Sequence, residues 1–455
     1  MKKMFNGIIA GMLVLVFLAS CGTPATPAAD GAAAPAPAPA APGAAAPAPA
    51  AGAELEPITL RFLHKWPEPD FRPWFDAIVQ SYMDKNPHVT ILAEAAGDDP
   101  IKDLLRIVIG TDQQPDVFFA WSGEFANNFV RAGVVLDLTP YLDADGGAWR
   151  NHFIRAGLEP YEMDGRNWGI PIRVNSKVFV YNQELFAEHG LTAPETWDEF
   201  IHVATTFRDA GITPIGFGNA SPWAACHYIT GLNQKMVPHD VRLVDYYFRT
   251  GEFTHPGYVL AHDMFLELHD LGFFNPYVNS TTHSMARQAW FVGESAMFYL
   301  SLNEFRTIAA EKGPYGWGFF PMPEIPWGEG RPNYLVGAPD GFLVSAFSEH
   351  PDQAVDFLKY MTNFENAVSL IQEIGWASSV VGAVEAANAP DWLIAGVNNL
   401  EEADGMALWL DTDIHIRIAD VWLPGLQELL EGTITSEELM QRVQAVAQEV
   451  RAIYG

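Results

Sequence analysis

The chain has 455 residues, 49% hydrophobic and 18% charged, enough to bury a core in two or more domain-sized lobes. Its formal net charge is −30 at pH 7, which argues against a nucleic-acid partner, because binding phosphates needs basic surface. An acidic balance fits a soluble protein with an uncharged or cationic partner.

Residues 1–20 read as an export signal: Lys2 and Lys3 precede an apolar run from Ile8 to Leu18 that is too short to span a bilayer. The stretch Leu18-Ala19-Ser20-Cys21 then resembles the bacterial lipobox, which makes Cys21 the expected lipidated first residue of the mature chain. Residues 22–53 are almost wholly Ala, Pro, Gly and Thr with Asp30 as the only charge, a composition for an extended tether rather than a core. At ~3.1 Å per residue it reaches on the order of 100 Å. Cys226 is the only cysteine beyond it, so the folded part has no intrachain disulfide and must hold by packing.

The globular part begins near Glu54. Ile58, Leu60 and Phe62 alternate on one face of a predicted strand that ends at His64-Lys65-Trp66. Trp74, Ile78 and Tyr82 follow at helical spacing before Pro87; "VTILAEAA" is a strand, "DPIKDLLRIVIG" a helix closed by Gly110, and "PDVFFAW" a buried strand. Two later helices carry capping boxes, Thr196 with Glu199 and Thr435 with Glu438. Strands and helices keep alternating, so the expected class is α/β with largely parallel sheets. One stretch resists this pattern. Arg173, Asn175 and Lys177 interrupt a run in which Val174, Val178 and Val180 mark a core face.

No nucleophile elbow, metalloprotease helix, phosphate loop or CxxC pair occurs, and "GFGNAS" (216–221) lacks the third glycine of a dinucleotide loop. "DADGG" (143–147) starts like a calcium loop, but Ile154 stands where the bidentate Glu belongs, and His262 and His269 share a helix face with no third ligand. Neither a metal nor a cofactor is expected. Aromatic residues beside polar ones do recur at strand ends: Trp66, Trp121 with Ser122, and Trp223. The carboxyl ends of strands are where an α/β sheet presents its ligand crevice. Sugars suit such a surface, since ring faces stack on indole and hydroxyls bond carboxylates and amides.

The segments "PDVFFAWSGEFANNFVRAGVVLDLTPYL", "DGRNWGIPIRVNSKVFVYNQELF", "FVGESAMFYLSLNEF" and "GAPDGFLVSAFSEHPDQAVDFLKYMTNFENA" give the chain a specific likeness. It resembles the bacterial extracellular solute-binding proteins of sugar ABC importers, the family that includes maltose-binding protein. The resemblance implies a two-lobed periplasmic-binding fold, type II-like, each lobe a mainly parallel sheet flanked by helices, with a hinged cleft between them. The expected divisions are 54–170 with 330–376 for the first lobe and 171–329 with 377–455 for the second. It implies no enzymatic activity. The expected partners are a carbohydrate and the permease with its ATPase, and the expected state is a monomer held to the outer face of the membrane.

Carried over by position, the implied ligand-binding residues are His64, Lys65, Trp66 and Glu68 after the first strand, and Trp121, Ser122 and Glu124 after the third. Arg173 and Asn175 follow on the crossover, then Trp223, Asp340, Trp376, Trp409 and Asp411. At Asn303 many relatives carry a stacking ring nearby; its absence here leaves sugar size and orientation open. Two other readings stay open. A binding protein for a glycerophosphodiester or phosphorylated polyol predicts basic residues at the cleft, for which Lys65, Arg173 and Arg287 are candidates. An exported glycoside hydrolase predicts two carboxylates about 5–9.5 Å apart.

Overall fold

Nine strands build two sheets in a computed structural model that describes residues 55–311 and 315–454. The expected signal, Cys21 and tether lie outside the described residues. In chain order the strands are β1 (Ile58–His64), β2 (Val89–Ala95), β3 (Val117–Trp121), β4 (Gly169–Arg173), β5 (Lys177–Asn182), β6 (Thr213–Gly216), β7 (Ser295–Ser301), β8 (Trp317–Phe320) and β9 (Asp340–Val344). The first sheet runs β2-β1-β3-β9-β4 and the second β8-β5-β7-β6. A short ribbon pairs Tyr334–Val336 with Gly405–Ala407.

The local signals explain these elements. Leu60 and Phe62 are buried where β1 alternates, while β3 is buried along its whole length as a central strand requires. Helix α1 (Arg72–Lys85) turns Trp74, Ile78 and Tyr82 inward, and α2 (Asp98–Val108) turns Ile101 and Leu105 inward. Both capping boxes form. In the first, the Glu199 N–H donates to Thr196 Oγ1 at 3.4 Å and the Thr196 N–H to Glu199 at 3.3 Å. In the second, the Thr435 N–H donates to Glu438 at 2.9 Å.

Each sheet holds one reversed strand. In the first, β9 runs antiparallel to β3 and β4 while β1 pairs parallel with β2 and β3. In the second, β5 runs antiparallel to β7 and β8 while β6 and β7 are parallel. The reversal follows from how the chain travels. A strand entered from the cleft side must run away from the cleft, against neighbours that end there. Thus Lys177, the first residue of β5, pairs with Ser301, the last of β7; Asp340 opens β9 beside Trp121 and Arg173, the last residues of β3 and β4.

Three connecting segments lie side by side between the sheets. The Ala338 N–H donates to Asn175 O at 3.1 Å, the Val174 N–H to Ala377 O at 2.9 Å and the Gly337 N–H to Ala407 O at 2.9 Å. Gly337 is required by proximity: a Cβ there would stand 2.2 Å from the Asn175 carbonyl oxygen.

The expected divisions shift accordingly. The first crossing comes after Arg173, not at residue 171, since β4 pairs through Arg173 with the first sheet. The return comes at residues 337–339 rather than 330. Gly330 and Arg331 still donate to Lys235 O and Gln234 O, at the end of a helix that packs on the second sheet. Residues 377–381 also stay beside first-sheet segments, bonded to Ile154, Ile172 and His152.

Candidate functional site

The strand ends of the two sheets face a cleft of about 380 Å³. Its first wall carries Lys65, Trp66, Glu68, Trp121, Arg173, Asp340 and Trp376, its second Trp223 and Asn303, with Asn175, Trp409 and Asp411 on or beside the connectors. Twelve of the fifteen residues expected at a ligand site therefore come together.

The other three do not line it. His64 is fully buried, its ring stacked on Phe75 at 4.5 Å, and burial pushes its pKa down to about 3. It points inward because it lies on the same face of β1 as Leu60 and Phe62, and Lys65 on the opposite one. Ser122 is fully buried where the chain leaves β3. The chain then turns at Gly123, with φ of 78°, and Glu124 opens helix α3 (Glu124–Arg131), where Arg131 holds its carboxylate in a two-pronged ion pair. That pair keeps Glu124 for the helix.

The interrupting residues of the crossover now have partners. Arg173 is 2% exposed, and its Nη2 lies 2.6 Å from Asp340 Oδ2, a buried pair that joins the ends of β4 and β9. The Asn175 Oδ1 accepts from the Asn303 N–H at 3.3 Å, linking the crossover to the segment after β7. Lys177 lies beneath Trp223, its Nζ 5.3 Å from the ring centre, and burial lowers its pKa to about 8.

The cations along the cleft are neutralised internally, while Glu68, Asp70, Asp99 and Glu311 line it without a salt bridge among the described residues. Lys65 lies 3.1 Å from Asp98 and 3.5 Å from Asp340, Lys102 3.2 Å from Asp411, and Arg287 2.8 Å from Glu304. Burial alone would raise the pKa of Glu304, but His283 at 3.1 Å and Arg287 hold it well below the usual carboxylate range. Each cleft-lining Lys or Arg thus has a carboxylate partner. Among the described cleft-lining residues, the buried polar atoms left unpaired are Arg173 Nη1, His227 Nδ1, Arg287 Nε, Asn303 Oδ1, Trp376 Nε1 and Asp411 Oδ1. They offer hydrogen bonds to a small polar molecule.

The aromatic rings differ in availability. Trp376 is fully buried with the Arg173 guanidinium 3.8 Å from its ring centre, and Trp121 carries Lys65 at 4.8 Å and Lys102 at 4.9 Å. Trp66 stacks on Phe75 at 4.9 Å. These rings form the floor. Trp409 packs against His227 at 4.4 Å, whereas Trp223, at the start of helix α4 (Trp223–Met236), remains only half-buried. Sequence reasoning missed Lys102, His227 and His283, which reach the cleft from helices. His227 sits four residues after Trp223, a helical spacing that places the two on one face.

A cleft between two such sheets, reached over three connectors, is matched by sequence comparison. The model of the bacterial extracellular solute-binding proteins matches residues 66–368. The chain belongs to this family. Its members are binding proteins rather than enzymes. Among relatives, the multiple sugar-binding protein of Streptococcus mutans is 24% identical over 73% of this chain and 77% of its own. A putative binding protein of Brucella abortus is 24% identical over 79% and 83%. Among solved structures, a chitin oligosaccharide binding protein superposes with a TM-score of 0.77 at 22% identity, over 87% of this chain and 99% of that one. A Bacillus licheniformis sugar transporter protein in complex with stachyose gives 0.68 at 17%, over 86% and 100%. These likenesses establish the two-domain fold. No helix among the described residues of this solute-binding protein is long and apolar enough to cross a membrane.

Proposed function

We propose that this solute-binding protein is the exported receptor of an ABC importer, taking a carbohydrate into the cleft and delivering it to the membrane permease and its ATPase. The observation that carries the reading is the cleft surface itself: the half-exposed Trp223 ring beside unpaired atoms of Arg173, His227, Asn303 and Asp411, with every lining Lys and Arg already neutralised. A flat apolar face flanked by single donors and acceptors suits an uncharged sugar. Relatives named for binding multiple sugars and arabinooligosaccharides support it. The same neutralisation disfavours a phosphorylated polyol, because Lys65, Arg173 and Arg287 are engaged. Lys65, Trp66, Glu68, Trp121, Asn175, Asp340, Trp376 and Trp409 complete the ligand surroundings in this reading. The connectors act as the hinge, the protein works as a monomer, and Cys21 carries the lipid that holds it outside the cell membrane.

A thermal-shift screen against mono- and oligosaccharides tests the reading. A sugar at 100-fold over its dissociation constant adds ~2.7 kcal/mol to folding stability, a readily visible rise in melting temperature. Stabilisation by glycerophosphodiesters and by no sugar would replace carbohydrate with the phosphate class.

A further inference from the structure

A second cavity, of about 870 Å³, lies on the reverse face of the same connectors. Residues near one another in sequence divide between the two. Arg173 and Asn175 line the cleft and Val174 the rear cavity; Trp409 lines the cleft and Leu408 the rear. Extended backbone sends successive side chains to opposite faces, so the two cavities stand back to back across the connectors.

One residue of the rear cavity lacks what its chemistry demands. Arg242, on the helix His239–Tyr246, is 3% exposed, and its Nε is buried without an acceptor. Among the described residues no carboxylate stands within salt-bridge distance of it, and its guanidinium carbon lies 4.8 Å from the Tyr246 ring centre. A guanidinium taken out of water without an anion is costly, and this chain has 56 acidic residues from which to supply one. Arg155, the other arginine of the lining, is already paired with Glu159 at 2.9 Å.

The remaining lining decides what kind of anion fits. Val384, Val397, Leu400 and Leu408 give an apolar wall. Glu385, Glu401 and Asp404 are exposed at the rim, where water and salt screen them. Asp413 also faces the cavity; burial pushes its pKa up to about 7 against the lowering effect of the Arg242 charge, which weakens it as a competing anion without pairing it at salt-bridge distance.

We propose that the rear cavity is a second ligand site, binding a small organic anion whose carboxylate pairs with Arg242 and whose aliphatic part lies on the apolar wall. Such a site is distinct from the sugar cleft and independent of which sugar the cleft takes.

Calorimetry on the purified protein with hexanoate, hexan-1-ol and hexylamine as probes tests it. Hexanoate is expected to bind saturably at one site, at least tenfold tighter than the alcohol or the amine. Arg242→Gln should remove that preference, and Val397→Trp, which fills the cavity without changing charge, should abolish binding. Trp223→Ala, on the cleft side, should leave hexanoate binding intact. Hexanoate binding no tighter than hexan-1-ol overturns the proposal, as does binding that survives both rear-cavity substitutions or is lost with Trp223→Ala. Should Arg242→Gln fail to fold, the probe comparison and Val397→Trp decide alone.

Discussion

A tryptophan removed from a packed floor and one removed from an open face fail in different ways. Trp376 is fully buried against Arg173, so Trp376→Ala should cost ~3–5 kcal/mol of stability through the cavity it leaves. Trp223 is half-buried at a helix start, with Lys177 beneath its ring. Trp223→Ala should keep the melting temperature within a few degrees while weakening sugar binding by roughly tenfold, about 1.4 kcal/mol. Melting curves and calorimetry on both variants check the contrast; a large melting loss with affinity intact would move Trp223 into the core. At this scale the sequence was readable where a strand end brings a side chain to the cleft lining, as for Lys65 and Asp340. It misled where neighbours in sequence were treated as neighbours in direction: His64 and Lys65 are adjacent, yet the two-residue period sends one onto Phe75 and the other over Trp121. Ser122 and Glu124 were lost to a turn at Gly123, where the Ser-Gly pair signals a turn but not the direction in which it sends its neighbours.

Elements were legible wherever their signals are local. The alternation in β1 and the two capping boxes each depend on a few adjacent residues. Strand direction is not local, and the reversal of β5 and β9 follows only from where the chain enters each sheet. Entry depends on the connectors, and there Gly337 is the tight point. Gly337→Ala would put a methyl group 2.2 Å from the Asn175 carbonyl oxygen. The segments must separate, at a cost of ~1–3 kcal/mol. Because the same oxygen accepts the Ala338 N–H, the variant should also change ligand affinity without any contact to ligand. Chemical denaturation together with ligand titration measures both; an unchanged midpoint would show that the connectors give way freely.

For the molecule as a whole, the proposed attachment at Cys21 makes a testable demand on the cell. Cys21→Ala should move the protein from the membrane fraction to the soluble exported fraction, and unaltered membrane association would remove the lipid anchor from the proposal. The ~100 Å tether read from residues 22–53 would let the binding domain range over the permease mouth while remaining bound to the membrane.

With the connectors acting as the hinge proposed above, the back-to-back arrangement would make them a fulcrum. A rotation that narrows the gap between the sheets on one side widens it on the other, so bulk added at Val174 or Ser378 presses on the same lever as a sugar opposite. Appetite for nutrient can thus be retuned from the reverse side, leaving the recognition chemistry untouched. A lineage adapting to scarcer or richer supply has two independent dials: the cleft decides which molecule is held, and the volume behind the fulcrum decides how tightly.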